Sequence, residues 1–309
     1  MSHDQDGFVD LIIGHPYSLN GGFNASGAIY RFSGGPLPDA YEGFETPADA
    51  DWTFVGDSTN DYEGFALTSG DVNGDDIPDL VIGSRTGEIV GGSNDRGAAR
   101  VFYGAALTPF GAIPDFEAEG PSSSSWFGVA LAVLGDVEGD GDGDLLVYAS
   151  RADTLGFDIG QSFQVSTTGV SAGLEQPGIA TGQRFGADVA LVHVTPGSDP
   201  VVTVAASHQD TATTYNRGAL FTYSVDAQDA TGPTQTLGEV PKIGSNDKFG
   251  IAISALGDFD GDGFDDVAVV SETDYKPSSF DSNAICGSSC GLNAGTKGCQ
   301  GAINYPGSV

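Results

Sequence analysis

The sequence predicts an all-β protein assembled from repeated four-stranded units. Three observations carry this expectation. Short runs of Val, Ile, Phe, Tyr and Thr are separated by turn residues. The runs recur in one order along the chain. An acidic loop stands at the same place in several copies. The chain has 309 residues with 47 glycines and 15 prolines, and no long segment carries apolar residues at helical spacing.

The repeat opens at Phe65-Ala66, Phe127-Gly128, Phe185-Gly186 and Phe249-Gly250, at spacings of 62, 58 and 64 residues. A short apolar strand follows, as in Val129–Leu134 and Ile251–Leu256. Next come Gly-Asp and the acidic loop, at Gly70-Asp71, Gly135-Asp136 and Gly257-Asp258. A second apolar strand runs on directly, at Leu80–Gly83, Leu145–Ala149 and Val267–Ser271. A Gly-Ala strand with an aromatic residue is third: Gly27–Tyr30, Gly97–Tyr103, Gly218–Phe221 and Gly301–Tyr305. A less regular fourth strand, such as Trp52–Val55, closes the unit.

Four strands in a unit of this length suit one blade of a β-propeller. A lone blade cannot bury both faces, so neighbours must stack. The alternative is a β-sandwich with accidental internal similarity. The expected organisation is one propeller domain over residues 1–309, incomplete at both ends. The first unit begins inside its acidic loop and the last stops after its third strand. About five blades are visible, which fits a fragment of a six- or seven-bladed ring or a ring completed within an assembly.

The acidic loops share a nine-residue spacing. The first complete loop offers Asp71, Asn73, Asp75, Ile77 and Asp79; the second offers Asp136, Glu138, Asp140, Asp142 and Asp144; the third offers Asp258, Asp260, Asp262, Phe264 and Asp266. A partial fourth, with Ser2 at its first position, offers Asp4, Asp6, Phe8 and Asp10. Calcium takes six to eight oxygens at about 2.3–2.6 Å. Side chains at positions 1, 3 and 5 can converge on one centre, the carbonyl of position 7 adds an oxygen, and a carboxylate at position 9 closes the cage. Gly at position 6 permits the bend; Asp76 departs from this. An EF-hand would need a Glu at position 12 and flanking helices. Softer metals are not expected, because the ligand positions offer no His or Cys. Solvated acidic hairpins are the plainer alternative, and repetition argues against it. Three calcium sites and a fourth at the N-terminus are expected. The stretch Val194–Val202, where the next loop belongs, keeps one Asp out of register and should bind none.

The charge narrows the partners. With 43 acidic and 11 basic residues, the net charge is −32. Nucleic acid is excluded as a partner, since phosphate binding needs Lys and Arg, and an anionic membrane surface is disfavoured. No apolar stretch is long enough to insert in a bilayer. The start, Met1–Asp6, is polar and lacks the apolar core of a signal peptide, so either a signal has been removed or the chain is part of a longer one. Cys286, Cys290 and Cys299 lie in a Gly/Ser-rich segment; one disulfide there is expected, with reduced thiols as the alternative.

The Phe-Gly opening, the Asp-rich loop and the following apolar strand resemble the FG-GAP repeat family, best known from the integrin α-chain head. The resemblance spans nearly the whole chain, and the loops are its specific part. It implies a propeller with calcium on the loops of one face, an extracellular or cell-surface location, and adhesion or ligand recognition. The expected function is a non-catalytic interaction module that takes a protein or glycan ligand through surface loops, within a larger assembly. A lectin and an accessory domain of a secreted hydrolase are the alternatives. Candidate surfaces are Tyr17–Asn24, Thr86–Asp95 and Asp274–Lys297, with Tyr17, Phe23 and Tyr275 as aromatic contacts. Trp52 and Trp126 suit either a sugar platform or the core. Catalysis is not expected, since His3, His15, His193 and His208 accompany no nucleophile motif. Asn24-Ala25-Ser26 matches a glycosylation acceptor.

Overall fold

The computed structural model describes residues 2–35, 46–89, 95–106, 110–136, 139–153, 157–166, 169–171, 181–193, 201–210, 215–224, 234–237, 245–261, 263–271 and 301–303. Among the described residues the chain is all-β, with five small antiparallel sheets. Sheet 1 holds β1 (Leu11–His15), β2 (Ala28–Phe32) and β3 (Trp52–Val55). Sheet 2 holds β4 (Glu63–Gly70), β5 (Asp79–Ser84), β6 (Ala98–Phe102) and β7 (Phe116–Glu119). Sheet 3 holds β8 (Phe127–Gly135), β9 (Asp144–Ala149), β10 (Gln161–Ser166) and β11 (Gly169–Ser171). Sheet 4 holds β12 (Phe185–Val192), β13 (Val201–Ala206), β14 (Ala219–Ser224) and β15 (Thr234–Leu237). Sheet 5 holds β16 (Ala252–Gly257), β17 (Asp266–Val270) and β18 (Gly301–Ile303). Each sheet pairs its strands in chain order, as a meander.

The chain forms two compact units, Met1–Asp153 with Ser162–Glu175, and Thr154–Gln161 with Gln176–Val309. In the first unit β4 packs on β1 and on β8. Strand β5 is buried along its whole length. Its Leu80 and Ile82 join Ile29, Trp52, Phe102 and Phe110 in one core. Its Val81 joins Val101, Phe127, Leu131, Val147 and Phe163 in another. Successive side chains point to opposite faces of a strand, so a strand sandwiched on both faces reads as an unbroken apolar run. In the second unit β12 packs on β16, and Val192, Leu220, Phe249, Ile253 and Val267 form the core. Burying each such side chain contributes about 1.5–3 kcal/mol.

The repeat has a different register from the expected one in sheet 2. Sheets 3 and 4 open with Phe127-Gly128 and Phe185-Gly186, as the sequence indicates. Sheet 2 opens with Glu63-Gly64, not with Phe65-Ala66. The backbone fixes this equivalence. The amides of Glu63, Phe127, Phe185 and Phe249 donate to the carbonyls of Ser26, Arg96, Ile159 and Arg217. Gly27, Gly97 and Gly218 bridge to Glu63, Phe127 and Phe249. A bulge follows the opening residue in β4, β8 and β12. The glycine after the opening residue decides the register: Gly64, Gly128, Gly186 and Gly250 have φ of 77°, 84°, 85° and 87°. At Gly128 a Cβ would stand 2.3 Å from the Ala98 carbonyl oxygen. Ala66 cannot fill that place, so the glycine outranks the phenylalanine.

The Gly-Ala strands fall in β2, β6, β14 and β18. Strand β10 belongs to the same series but was not expected, because Gln161 and Ser162 replace the small apolar residues that mark the others.

Candidate metal centre

The acidic loops join the first strand of a sheet to the second. In the loop 71–79 the Asp71 carboxylate accepts the amides of Gly74 (2.7 Å), Asp75 (3.2 Å) and Asp76 (2.7 Å). In the loop 136–144 Asp136 accepts Gly139 (2.6 Å), Asp140 (3.0 Å) and Gly141 (3.0 Å). In the third loop Asp258 accepts Gly261 (2.8 Å) and Gly263 (3.0 Å). The first carboxylate thus folds each loop around itself. The fifth position makes a smaller turn: Asp75 accepts the Ile77 amide at 2.8 Å, Asp140 the Asp142 amide at 3.0 Å, and Asp6 the Phe8 amide at 2.8 Å. Asn73 accepts the Asp75 amide at 3.1 Å. At position 6 Gly141 and Gly263 have φ of 100° and 94°; Asp76 holds the same left-handed region at 63°.

Position 9 is the buried one. Asp79, Asp144, Asp266 and Asp10 are 0%, 1%, 2% and 7% exposed. Asp79, Asp144 and Asp266 begin β5, β9 and β17, and Asp10 immediately precedes β1, so the sheet carries each carboxylate at the foot of its loop. Asp79 accepts the amides of Val72 (2.7 Å) and Gly104 (2.9 Å). Asp266 accepts those of Phe259 (2.9 Å) and Asp260 (3.3 Å). Asp10 accepts those of His3 (3.0 Å) and Gly34 (3.1 Å). Asp144 accepts the Gln164 amide at 2.6 Å. Burial pushes the Asp79 carboxyl up to about 6; its two backbone donors oppose this, and the charges of Asp75 and Asp71 add to it.

The donor set suits a hard cation. Carboxylate oxygens of Asp258, Asp260 and Asp266 all lie within 4.8 Å of one another. Oxygens that share one calcium at about 2.3–2.6 Å can stand as far apart as about twice that distance. Loops 71–79 and 136–144 also touch. The Gly143 amide donates to the Val72 carbonyl at 3.0 Å, and a Cβ on Gly74 would meet the Gly141 carbonyl oxygen at 1.9 Å. Asp71, Asp75, Asp79, Asp136, Asp140, Asp142 and Asp144 therefore crowd one end of two neighbouring sheets. Like charges this close repel. Phe264 holds position 7 of the third loop, while Glu138 and Asp262 lie outside the described residues. So do residues 194–200 and the three cysteines.

The N-terminal loop is built differently. Arg31 of β2 reaches Asp4 at 2.5 Å and Asp10 at 3.2 Å. Burial works against ionisation of Asp4, but the hydrogen bond and charge of Arg31 outweigh it and hold its carboxyl below the ordinary value. Ser2 donates to Asp6 at 3.2 Å and to Asp4 at 3.4 Å. A guanidinium thus sits among carboxylates that in the other loops face one another. Gln164 occupies the matching place in β10. Neither partner was foreseen; a lone base inside the apolar strand Ala28–Phe32 was the available signal.

The two tryptophans divide. Trp52 belongs to the core, edge-on to Phe102 and Phe110 at 5.0 and 5.2 Å, with its indole donating to the Gly111 carbonyl at 3.0 Å. Trp126 is half-buried and packs against arginines. Among the described residues no helix is long and apolar enough to cross a membrane.

No family model matches the chain. A phosphatidylinositol-glycan-specific phospholipase D of Dictyostelium discoideum is 32% identical over 152 residues, which is 47% of this chain and 15% of that protein. Integrin alpha-PS2 of Drosophila melanogaster is 33% identical over 102 residues, 32% of this chain and 7% of that protein. The chain thus matches only a small part of either relative. Among solved structures, a Bacillus licheniformis rhamnogalacturonan lyase aligns with a TM-score of 0.45 at 11% identity, over 87% of this chain and 45% of that one. A mutant of AofleA from Arthrobotrys oligospora aligns at 0.36 and 11%, over 87% and 86%.

Proposed function

We propose that this chain is a calcium-stabilised β-propeller module of FG-GAP repeats that works outside the cell as a non-catalytic recognition domain. One observation carries the calcium reading: in three loops of identical spacing a carboxylate at position 1 accepts the loop amides and a buried aspartate stands at position 9, and in the third these carboxylates converge with Asp260. Asp71, Asn73, Asp75, the Ile77 carbonyl and Asp79 would hold one ion. Asp136, Glu138, Asp140, Asp142 and Asp144 would hold a second, and Asp258, Asp260, Asp262, the Phe264 carbonyl and Asp266 a third. Asp4, Asp6, the Phe8 carbonyl and Asp10 form a weaker fourth set, because Arg31 already neutralises it. Calcium supplies positive charge and fixes the loops, which holds the sheet ends together.

The propeller reading is supported by five meander sheets of one repeat and by first-strand packing within each unit. Partial similarity to an integrin α chain and to a phosphatidylinositol-glycan-specific phospholipase D supports recognition at or outside the cell surface. The same phospholipase match favours a second reading, an accessory domain beside a secreted hydrolase; a catalytic domain in the same reading frame would select it.

Calorimetric titration with calcium and thermal melting with and without a chelator test the proposal. Three strong equivalents and one weak one are expected. Free calcium at a hundredfold excess over Kd raises stability by about 2.7 kcal/mol per site. No binding heat together with an unchanged melting midpoint would overturn it.

A further inference from the structure

At the end of the sheets opposite the acidic loops, the first unit carries a stack of aromatic rings and guanidinium groups. Tyr17 meets Tyr62 edge-on, with ring centroids 5.4 Å apart. The Arg85 guanidinium lies 4.2 Å from the centre of the Tyr62 ring, 4.8 Å from Phe65 and 4.9 Å from Trp126. Arg151 also lies over Trp126, 4.3 Å from its ring centre. The fold sets these places: Arg85 and Arg151 follow β5 and β9, while Tyr62 and Trp126 precede β4 and β8.

Arg85 is unusual for this chain. Acids outnumber bases 43 to 11, and Arg31, Arg96, Arg100 and Arg184 all pair with carboxylates. Among the described residues Arg85 makes no ion pair, and its buried Nε has no acceptor. Cation–π attraction explains why the guanidinium stays between the rings, but it leaves the N–H donors unused. Beside it lies a cavity of about 200 Å³ lined by Asn60, Tyr62, Arg85, Thr86, Asp95 and Trp126.

We infer that this cavity binds a single carboxylate presented by a partner protein, an Asp or Glu side chain seated on Arg85. The inference rests on reading the chain as a recognition module. The planar fork of a guanidinium matches a carboxylate with two parallel hydrogen bonds. Asp95, which also lines the cavity, disfavours any negative charge beyond the one that Arg85 can neutralise, and the net charge of −32 repels polyanions at a distance. A protein suits the surroundings better than a sugar does. The loop that carries Tyr17 also exposes Leu19 and Phe23; the three are 62%, 66% and 42% exposed. Apolar side chains of this size call for an apolar partner surface, and Tyr, Trp and Arg are the residues that dominate protein interfaces.

Titration of the full chain with N-acetyl-L-glutamate amide, followed by tryptophan fluorescence at constant ionic strength, tests this. Trp52 is buried in the core, so the signal reports Trp126. A saturable change is expected with the glutamate probe, none with N-acetyl-L-glutamine amide, and a weaker one with glucuronate. Arg85→Gln should weaken glutamate binding at least tenfold while the calcium-induced rise in melting midpoint stays as in the wild type. Absence of a saturable change, equal binding by Arg85→Gln, or tighter binding of glucuronate would overturn the inference, the last by assigning the cavity to a glycan. Failure of the calcium experiment with glutamate binding intact overturns the earlier reading and leaves this one standing.

Discussion

Glu63 and Arg100 form a buried ion pair in sheet 2 where sheets 3 and 4 place Phe127 against Phe163 and Phe185 against Phe221. The equivalence follows from the repeat: Arg100, Phe163 and Phe221 each stand three residues after Gly97, Gly160 and Gly218. Ring centroids in the two aromatic pairs are 5.6 and 5.8 Å apart. Both members of the pair changed together, so the position keeps a partnered contact while its chemistry differs. Arg100 also binds Glu117 at 2.8 Å and the Glu88 carbonyl at 3.1 Å.

Removing one partner should cost much more than replacing both. Arg100→Leu strips the buried Glu63 of its counter-charge, so that above about pH 7 the group must stay an unpaired buried anion or take up a proton, and the variant should lose about 3–5 kcal/mol there. The double change Glu63→Phe with Arg100→Phe restores the aromatic pair of the other sheets and should be neutral or stabilising by about 1–4 kcal/mol. Denaturant melts of the wild type, both single variants and the double variant measure the coupling. A double variant as unstable as Arg100→Leu would refute the equivalence.

The same pair predicts a pH dependence. Burial pushes the Glu63 carboxyl up to about 7, against the pull of Arg100. The folded chain therefore holds this proton more tightly than the unfolded chain, where the group titrates near 4.5. Its contribution to stability is complete below about pH 4.5 and is lost as pH rises towards 7. The stability of the wild type relative to Glu63→Gln should fall across that window and level off above it. A difference that stays flat from pH 4 to 8 would show that Glu63 does not titrate there.

Arg31 stands in for a cation at the N-terminal loop, so its removal should create a need for calcium. Arg31→Gln leaves Asp4 and Asp10 facing each other without a counter-charge. Without calcium the variant should be destabilised by about 3–5 kcal/mol. Calcium should restore much of this loss, and the calcium-induced rise in melting midpoint should exceed that of the wild type. An equal rise in both proteins would show that Arg31 and the ion do not compete.

The acidic loops and the second strands were legible in the sequence because their information is local. Positions 1, 5 and 9 act within nine residues, and β5 and β9 are apolar runs buried on both faces. What escaped notice depends on contacts between distant segments. The opening of sheet 2 was misplaced because Phe65 imitates the motif, whereas the fold requires glycine at position 64, against Ile29 and Gly14. Strand β10 was missed because Gln161 and Ser162 replace the apolar residues that mark the series, and Gln164 between its two core residues serves Asp144. Arg31 touches Asp4, and Arg85 touches Trp126, across spacings that no periodicity marks.

The glycine rungs give the sharpest steric prediction. Gly97 has φ of 86° and lies against β8, so a Cβ there would stand 2.1 Å from the Phe127 carbonyl oxygen. Gly182 has φ of 76°, but nothing lies within 4 Å of its Cβ direction. Both alanine variants incur the left-handed backbone penalty, about 1–2 kcal/mol. Only Gly97→Ala must also push two backbones apart, at a further cost of about 1–3 kcal/mol. Chemical denaturation at fixed calcium should therefore rank Gly97→Ala well below Gly182→Ala. Equal losses would mean that the rung between sheets 2 and 3 yields without cost, and that glycine is needed there for its backbone angle alone.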